Sequence, residues 1–341
     1  MPHPPAQRAG GAGVGPPPQN RGPERRTHMM STTQQQKKTS IGGQALIEGL
    51  MMRGPKISAM AIRTPSGEID LETWPTNKGD KVPWYKHTPF VRGIFNFIDT
   101  LKVGYGCLMK SAEKSGSDLE EPSAFEKKLQ KLFGDNMMKV VSGFAMVVAV
   151  VLAVLLFMVL PTCVSKLLSP FLTTSFSRSL VEGLIKIGIF VLYVALVSRT
   201  PDIARVFQYH GAEHKTIACY EAGLPLTVEN IRPQRRFHPR CGTSFILIVL
   251  IVSILVSSVV TWSSVGVRIL LKLALLPLVV GIAYEIIKLA GRYDNIATRI
   301  VSAPGLWLQR LTTQEPDDSQ IECAIAAMEP CIPENENDDR W

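Results

Sequence analysis

The sequence predicts a mainly α, polytopic membrane protein with about four transmembrane helices, an interfacial amphipathic helix and a small cytoplasmic β-hairpin element. Three observations carry this. Hydrophobic residues make up 46% of the 341-residue chain and are gathered into two blocks, each long enough for a pair of spans. The basic residues stand beside those blocks, so the net charge of +8 reads as a topology signal and no specific nucleic-acid partner is expected. Ahead of the first block, the apolar pattern switches to period two, the spacing of a strand.

Residues 1–40 are rich in Pro, Gly, Gln and Arg and bring few large apolar side chains. Such a segment buries too little surface to offset its ordering entropy, and it reads as a disordered extension rather than a signal peptide. Residues 41–136 form a cytoplasmic region. Its first stretch, IGGQALIEGLMMRGP (41–55), sets Gln44, Glu48 and Arg53 among Leu, Ile and Met, so Glu48 needs a partner, with Arg53 close in sequence. Ile57 to Trp74 alternates about Pro65-Ser66-Gly67 and is the predicted hairpin. Residues 89–113 carry one stripe with Arg92, Asn96 and Asp99 and another with Val91, Ile94, Phe95, Ile98 and Leu101. This is the interfacial helix. A charged helical linker follows over 113–136.

The first transmembrane hairpin occupies 137–200, with spans at 140–160 and 180–198; the second carries Glu182 and Lys186, four apart and able to pair. The second hairpin occupies 244–290, with spans at 244–264 and 267–289 and a kink expected at Pro277. Between them, the 201–243 segment holds Arg205, Lys215, Arg232, Arg235, Arg236 and Arg240, which puts it and both termini in the cytoplasm. Residues 291–329 form a cytoplasmic C-terminal segment with caps at Asp317, Asp318 and Ser319, and 330–341 an acidic, disordered tail. The six cysteines (107, 163, 219, 241, 323 and 331) show no disulfide spacing, as a reducing compartment requires.

Chemistry concentrates in the 201–243 segment. On a helix His210 and His214 emerge one turn apart from one face, with Glu213 beside them. His-x-x-Glu-His is the reversed zincin order, in which two histidines hold zinc and the glutamate activates water. His238 and Cys241 offer a second pair of ligands, on a turn set by Pro239 and Gly242. A carboxylate is the usual third ligand of reversed zincins, which here would be Glu221 or the distant Glu48. Arg53 and Glu285 are further candidates for outer partners of the site.

Four motifs, GGQALIEGLMMRGP, HGAEHKTIACYEAG, HPRCGTSF and PGLWLQRLTTQEP, stand in this order around the apolar runs. On them the chain resembles the YqhQ-like family, bacterial integral-membrane proteins of unknown function described by similarity as metal-dependent-enzyme-like. The resemblance covers residues 41 to about 329. It implies the bacterial cytoplasmic (inner) membrane and a metal, but no substrate. Two functions are open. In the first, Zn²⁺ sits on His210, His214 and one of His238 or Cys241, with Glu213 as general base of a metallohydrolase at the cytoplasmic membrane surface. In the second, all four groups close a structural zinc site in a non-catalytic assembly or scaffold factor. The partner is then anionic lipid or another membrane protein, met by the basic loop in addition to the bilayer. The number of protein ligands, three or four, separates them.

Overall fold

The computed structural model describes residues 38–76, 84–116, 137–259, 264–293 and 295–339. Residues 1–37, expected to be disordered, lie outside these, as does 117–136 of the expected linker.

Strands β1 (Gly42–Leu46), β2 (Gly49–Arg53), β3 (Ile57–Arg63) and β4 (Ile69–Pro75) form one antiparallel meander in that order. The expected hairpin is β3–β4, closed at Gly67 with φ 87°. Unexpected is the preceding hairpin β1–β2, which extends the sheet to four strands. Its strands escape a period-two reading because β2 is covered on both faces. Leu50, Met51 and Met52 are all buried, so the strand shows a continuous apolar run.

Helix α1 (Val91–Lys114) contributes Cys107 to one face of the sheet, against Leu46, Met51, Met60 and Ile62. The other face packs on α5 (Pro201–Glu221) and α10 (Asp318–Met328), where Leu50, Met52, Ala59 and Ala61 meet Tyr209, Ala212, Ile217, Ala324 and Met328. Each such large side chain contributes about 1.5–3 kcal/mol by leaving water. On α1, Gly93, Gly104 and Ser111 face the protein, whereas Phe95, Ile98, Leu101, Tyr105, Leu108 and Met109 are exposed. That is the reverse of a helix on a water-soluble core, whose apolar stripe faces inward.

Helix α2 (Met137–Val154) continues through a π-helical turn (Leu155–Val159) into α3 (Leu160–Leu167). The widened turn falls just before Pro161, which has no N–H to give to the preceding turn. Then come α4 (Ser175–Val197), α5, the short α6 (Val228–Ile231), α7 (Gly242–Val259), α8 (Val265–Arg292), α9 (Ile296–Thr312) and α10. Among the described residues three helices are long and apolar enough to cross a membrane: Gly143–Leu167, Phe176–Val197 and Ile269–Arg292. The expected span at 244–264 is instead a shorter apolar helix over Gly242–Ser258, and 260–263 lies outside the described residues. Helix α7 packs on α8 through Ile248, Val252, Val279 and Ala283. Helix α8 runs unbroken through Pro277.

Three expectations need correction. Glu285 does not serve the metal motif. It accepts from Arg92 Nε (2.7 Å) and from the Phe90 N–H (3.1 Å), and with Asn96 Nδ2 donating to Tyr284 Oη (2.8 Å) it seats α1 on the end of α8. The 201–243 segment, expected as a cytoplasmic loop with a helical metal motif, is helical well beyond that motif, over α5 and α6. Third, order extends to residues 38–40 at one end and 330–339 at the other. Asp339 is fully buried and accepts from Thr39 Oγ1 (2.5 Å), the Ser40 N–H (3.0 Å) and Tyr220 Oη (2.9 Å). An acidic tail reads as disordered until a partner for its carboxylate is known.

Because the Arg92 fork is the charged half of the α1–α8 joint, Arg92→Ala should destabilise the protein by about 2 kcal/mol, the worth of hydrogen bonds to a charged group. Thermal unfolding in detergent reads this. A change below about 0.5 kcal/mol would mean that α1 is held by its apolar contacts alone.

Candidate metal centre

Pro201 fits the first turn of α5, where its missing N–H is not needed, and the helix carries HGAEH through the centre of the structure. His210, Glu213 and His214 are all buried. Gly211 is what allows this. A Cβ there would stand 1.9 Å from the Gln314 carbonyl, so only glycine lets the chain after α9 cross α5 at this point. The crossing brings the Thr312 carbonyl to His210 Nδ1, which donates to it at 2.7 Å. His214 Nδ1 donates likewise to the Arg236 carbonyl at 2.6 Å. Both imidazoles are thereby fixed with Nε2 as the free ligand nitrogen.

Those nitrogens meet a sulfur. Cys241 directly precedes α7, and its Sγ lies 3.1 Å from His210 Nε2 and 3.5 Å from the Thr243 N–H of the first helical turn. The ligand atoms of His210, His214 and Cys241 lie within 4.8 Å of one another, all buried. Burial opposes ionisation of Cys241, but His210 and His214 outweigh it and pull the thiol well below its usual range. Burial would also keep His210 neutral; the Cys241 sulfur overcomes this and raises it to about 9. Burial raises Glu213, with His210 and His214 opposing and the Gly43 backbone amide also favouring its ionised form.

The donor set fits a zinc ion by its own chemistry. His214 Nε2 and Glu213 Oε2 are buried without a hydrogen-bond partner, which is costly unless something binds there. A thiolate between two Nδ1-anchored imidazoles is a Cys-His-His tripod, the three-ligand class that keeps a fourth position open.

The other sequence candidates fall outside this group. His238, expected as a ligand, is held by Gln309, whose Oε1 takes its N–H (2.8 Å) and whose Nε2 donates to its carbonyl (2.7 Å). Its Nε2 faces Arg240 Nη2 at 3.2 Å and Glu221 Oε2 at 3.6 Å. Glu221 is therefore a partner of His238 and Arg240, and also accepts the Thr39 N–H (2.8 Å), rather than being a third ligand. Glu48 pairs with Arg205 on α5 (2.7 Å) and not with Arg53. Arg53 lines the cavity next to the centre. Gln309 and the Thr312 carbonyl were missed. Gln309 stands in PGLWLQRLTTQEP, where a polar residue amid Leu and Trp was the available signal; a ligand-orienting carbonyl leaves no signal at all.

No solved structure matches this chain. Among curated proteins, the protein called "Uncharacterized protein YqhQ" from Bacillus subtilis (strain 168) is 38% identical over 285 residues, covering 83% of this chain and 89% of that protein. Residues 88–334, which contain His210, His214, Cys241 and Gln309, match one family along their whole length, and the chain belongs to that family, described as Protein of unknown function (DUF1385).

Proposed function

We propose that this protein is a zinc-dependent hydrolase working at the cytoplasmic surface of the bacterial membrane. One observation carries the reading: three buried groups converge, while His238, the fourth ligand that a closed site would need, turns its Nε2 to Glu221 and Arg240. A zinc ion held by His210, His214 and Cys241 would supply Lewis-acid chemistry. Glu213, next in sequence to one ligand, is buried, raised in pKa and has a free carboxylate oxygen. It suits the general base that takes a proton from attacking water and returns it to the leaving group. The cavity of about 530 Å³ lined by Glu213, His214 and Cys241 gives a substrate room. The hydrolase reading is favoured over the scaffold alternative in that three of the loop's arginines have acidic partners within the chain: Arg232 with Asp318, Arg236 with Glu315 and Arg240 with Glu221.

X-ray absorption of the purified zinc protein should show one sulfur, two imidazole nitrogens and one further light atom. A third imidazole in the shell would mean the closed site of a structural protein. Orientation is read by reporter fusions after residues 170 and 220. The second should be active only as a cytoplasmic reporter and the first only as an external one, from the excess of Lys and Arg in 201–243.

A further inference from the structure

The cavity beside the metal centre is lined by three cations, Arg53, Lys86 and Arg240, and by the carboxyl of Glu213. Two of the cations are occupied: Arg240 by Glu221, and Lys86 by Asp99 at 3.5 Å. Arg53 has no acidic partner among the described residues. It sits at the end of β2, paired in register with Gly42 of the edge strand β1. Paired residues of an antiparallel ladder project on one face, and a Cβ at Gly42 would meet nothing within 4 Å. The space over Gly42, on the face of the sheet to which Arg53 projects, is therefore open.

The remaining wall is mixed: Met51, Val103 and Ile217 form its apolar part, and α1 adds Asn96 and Thr100 beside Val103. Val103 belongs to α1, whose outer face exposes Phe95, Ile98 and Leu101 and whose start is seated on the candidate span Ile269–Arg292 through Glu285 and Tyr284. A guanidinium with no acidic partner among the described residues, in a partly apolar cavity under a helix with an exposed apolar face, calls for an anion attached to a tail. The planar fork of Arg suits the paired oxygens of phosphate.

We propose that this cavity binds a phosphate-bearing membrane amphiphile, with Arg53 holding the phosphate and the chain entering along the wall formed by α1. This names the substrate class of the hydrolase reading and rests on it for the reaction, though not for the binding.

Full-length protein in a neutral detergent is titrated calorimetrically with dihexanoyl phosphatidic acid, both as purified and after removal of metal with a chelator. Binding is expected in both states. Arg53→Gln should weaken it roughly tenfold to a hundredfold, the loss of a charge-assisted hydrogen-bonded pair, and Arg53→Lys should restore part of it. Gly42→Leu, which needs no unusual backbone, should block binding by filling the space beside Arg53, and it stands in for Arg53→Gln if that variant does not fold. Dihexanoyl glycerol, which has the same tails without the phosphate, should not compete. Equal binding by Arg53→Gln, or by Gly42→Leu, overturns the proposal, as does competition by dihexanoyl glycerol. Inorganic phosphate binding as tightly as the lipid would identify a free anion and overturn the amphiphile. Arg53-dependent binding to a protein found to hold no zinc would keep this site while removing the hydrolase reading.

Discussion

Cys241→Ala should empty the metal centre, lowering zinc affinity by more than about a hundredfold, the upper end of what loss of an outer partner alone costs. The sulfur is the anionic member of the clustered trio, and it would close the chelate between α5 and the start of α7. Glu213→Gln should behave oppositely. It leaves the three ligands in place, so zinc content holds, yet it cannot accept a proton, and turnover should fall by about two to four orders of magnitude. Zinc analysis of both purified variants, with the reaction assayed on the amphiphile class above, separates the outcomes. Zinc retained by Cys241→Ala would remove the sulfur from the site; full activity in Glu213→Gln would sink the hydrolase reading. In metal-free protein His210 holds a proton up to about pH 9, and zinc must displace it. Zinc affinity should therefore weaken as pH falls below that value.

The second large effect lies among the apolar helices. Lys272 Nζ on α8 reaches Glu182 on α4 and donates to Thr162 Oγ1 on α3 at 3.0 Å, and all three residues are buried. Lys272→Met leaves the Glu182 carboxylate buried beside one fewer cation and should cost about 3–5 kcal/mol. Glu182→Leu combined with Lys272→Met should recover most of that loss, since two apolar side chains need no partner in hydrocarbon. Thermal unfolding in detergent of the single and double variants reads both. A single variant within about 1 kcal/mol of the parent would show that the pair is hydrated rather than sealed.

The same pair shows why part of the fold was not legible. Glu182 and Lys186 are four apart on a helix, and sequence favours that local pairing. The tie from Glu182 to Lys272 joins residues ninety apart, and only the packing of α4 and α8 on the same helix, α7, brings them together. Glu285 and Arg92 repeat the point, because a carboxylate's partner is set by which helix docks beside it and not by its neighbours in the chain.

By itself the sequence determined the helical character, the apolar runs, the β3–β4 hairpin and the amphipathic α1, since each is written in a short-range period of 3.6 or 2. It also determined that His210 and His214 share a face, because i and i+4 on one helix meet whatever surrounds them. Tertiary structure alone decided that Cys241 and not His238 completes the trio. Both stand on the same turn; Gln309 fixes the His238 backbone, and Glu221 and Arg240 face its Nε2. It decided, too, that the Thr312 carbonyl orients His210, which requires the chain to cross Gly211 about a hundred residues downstream. Periodicity is local and survives in a sequence; the partner of a buried polar group is fixed by long-range packing, and it does not.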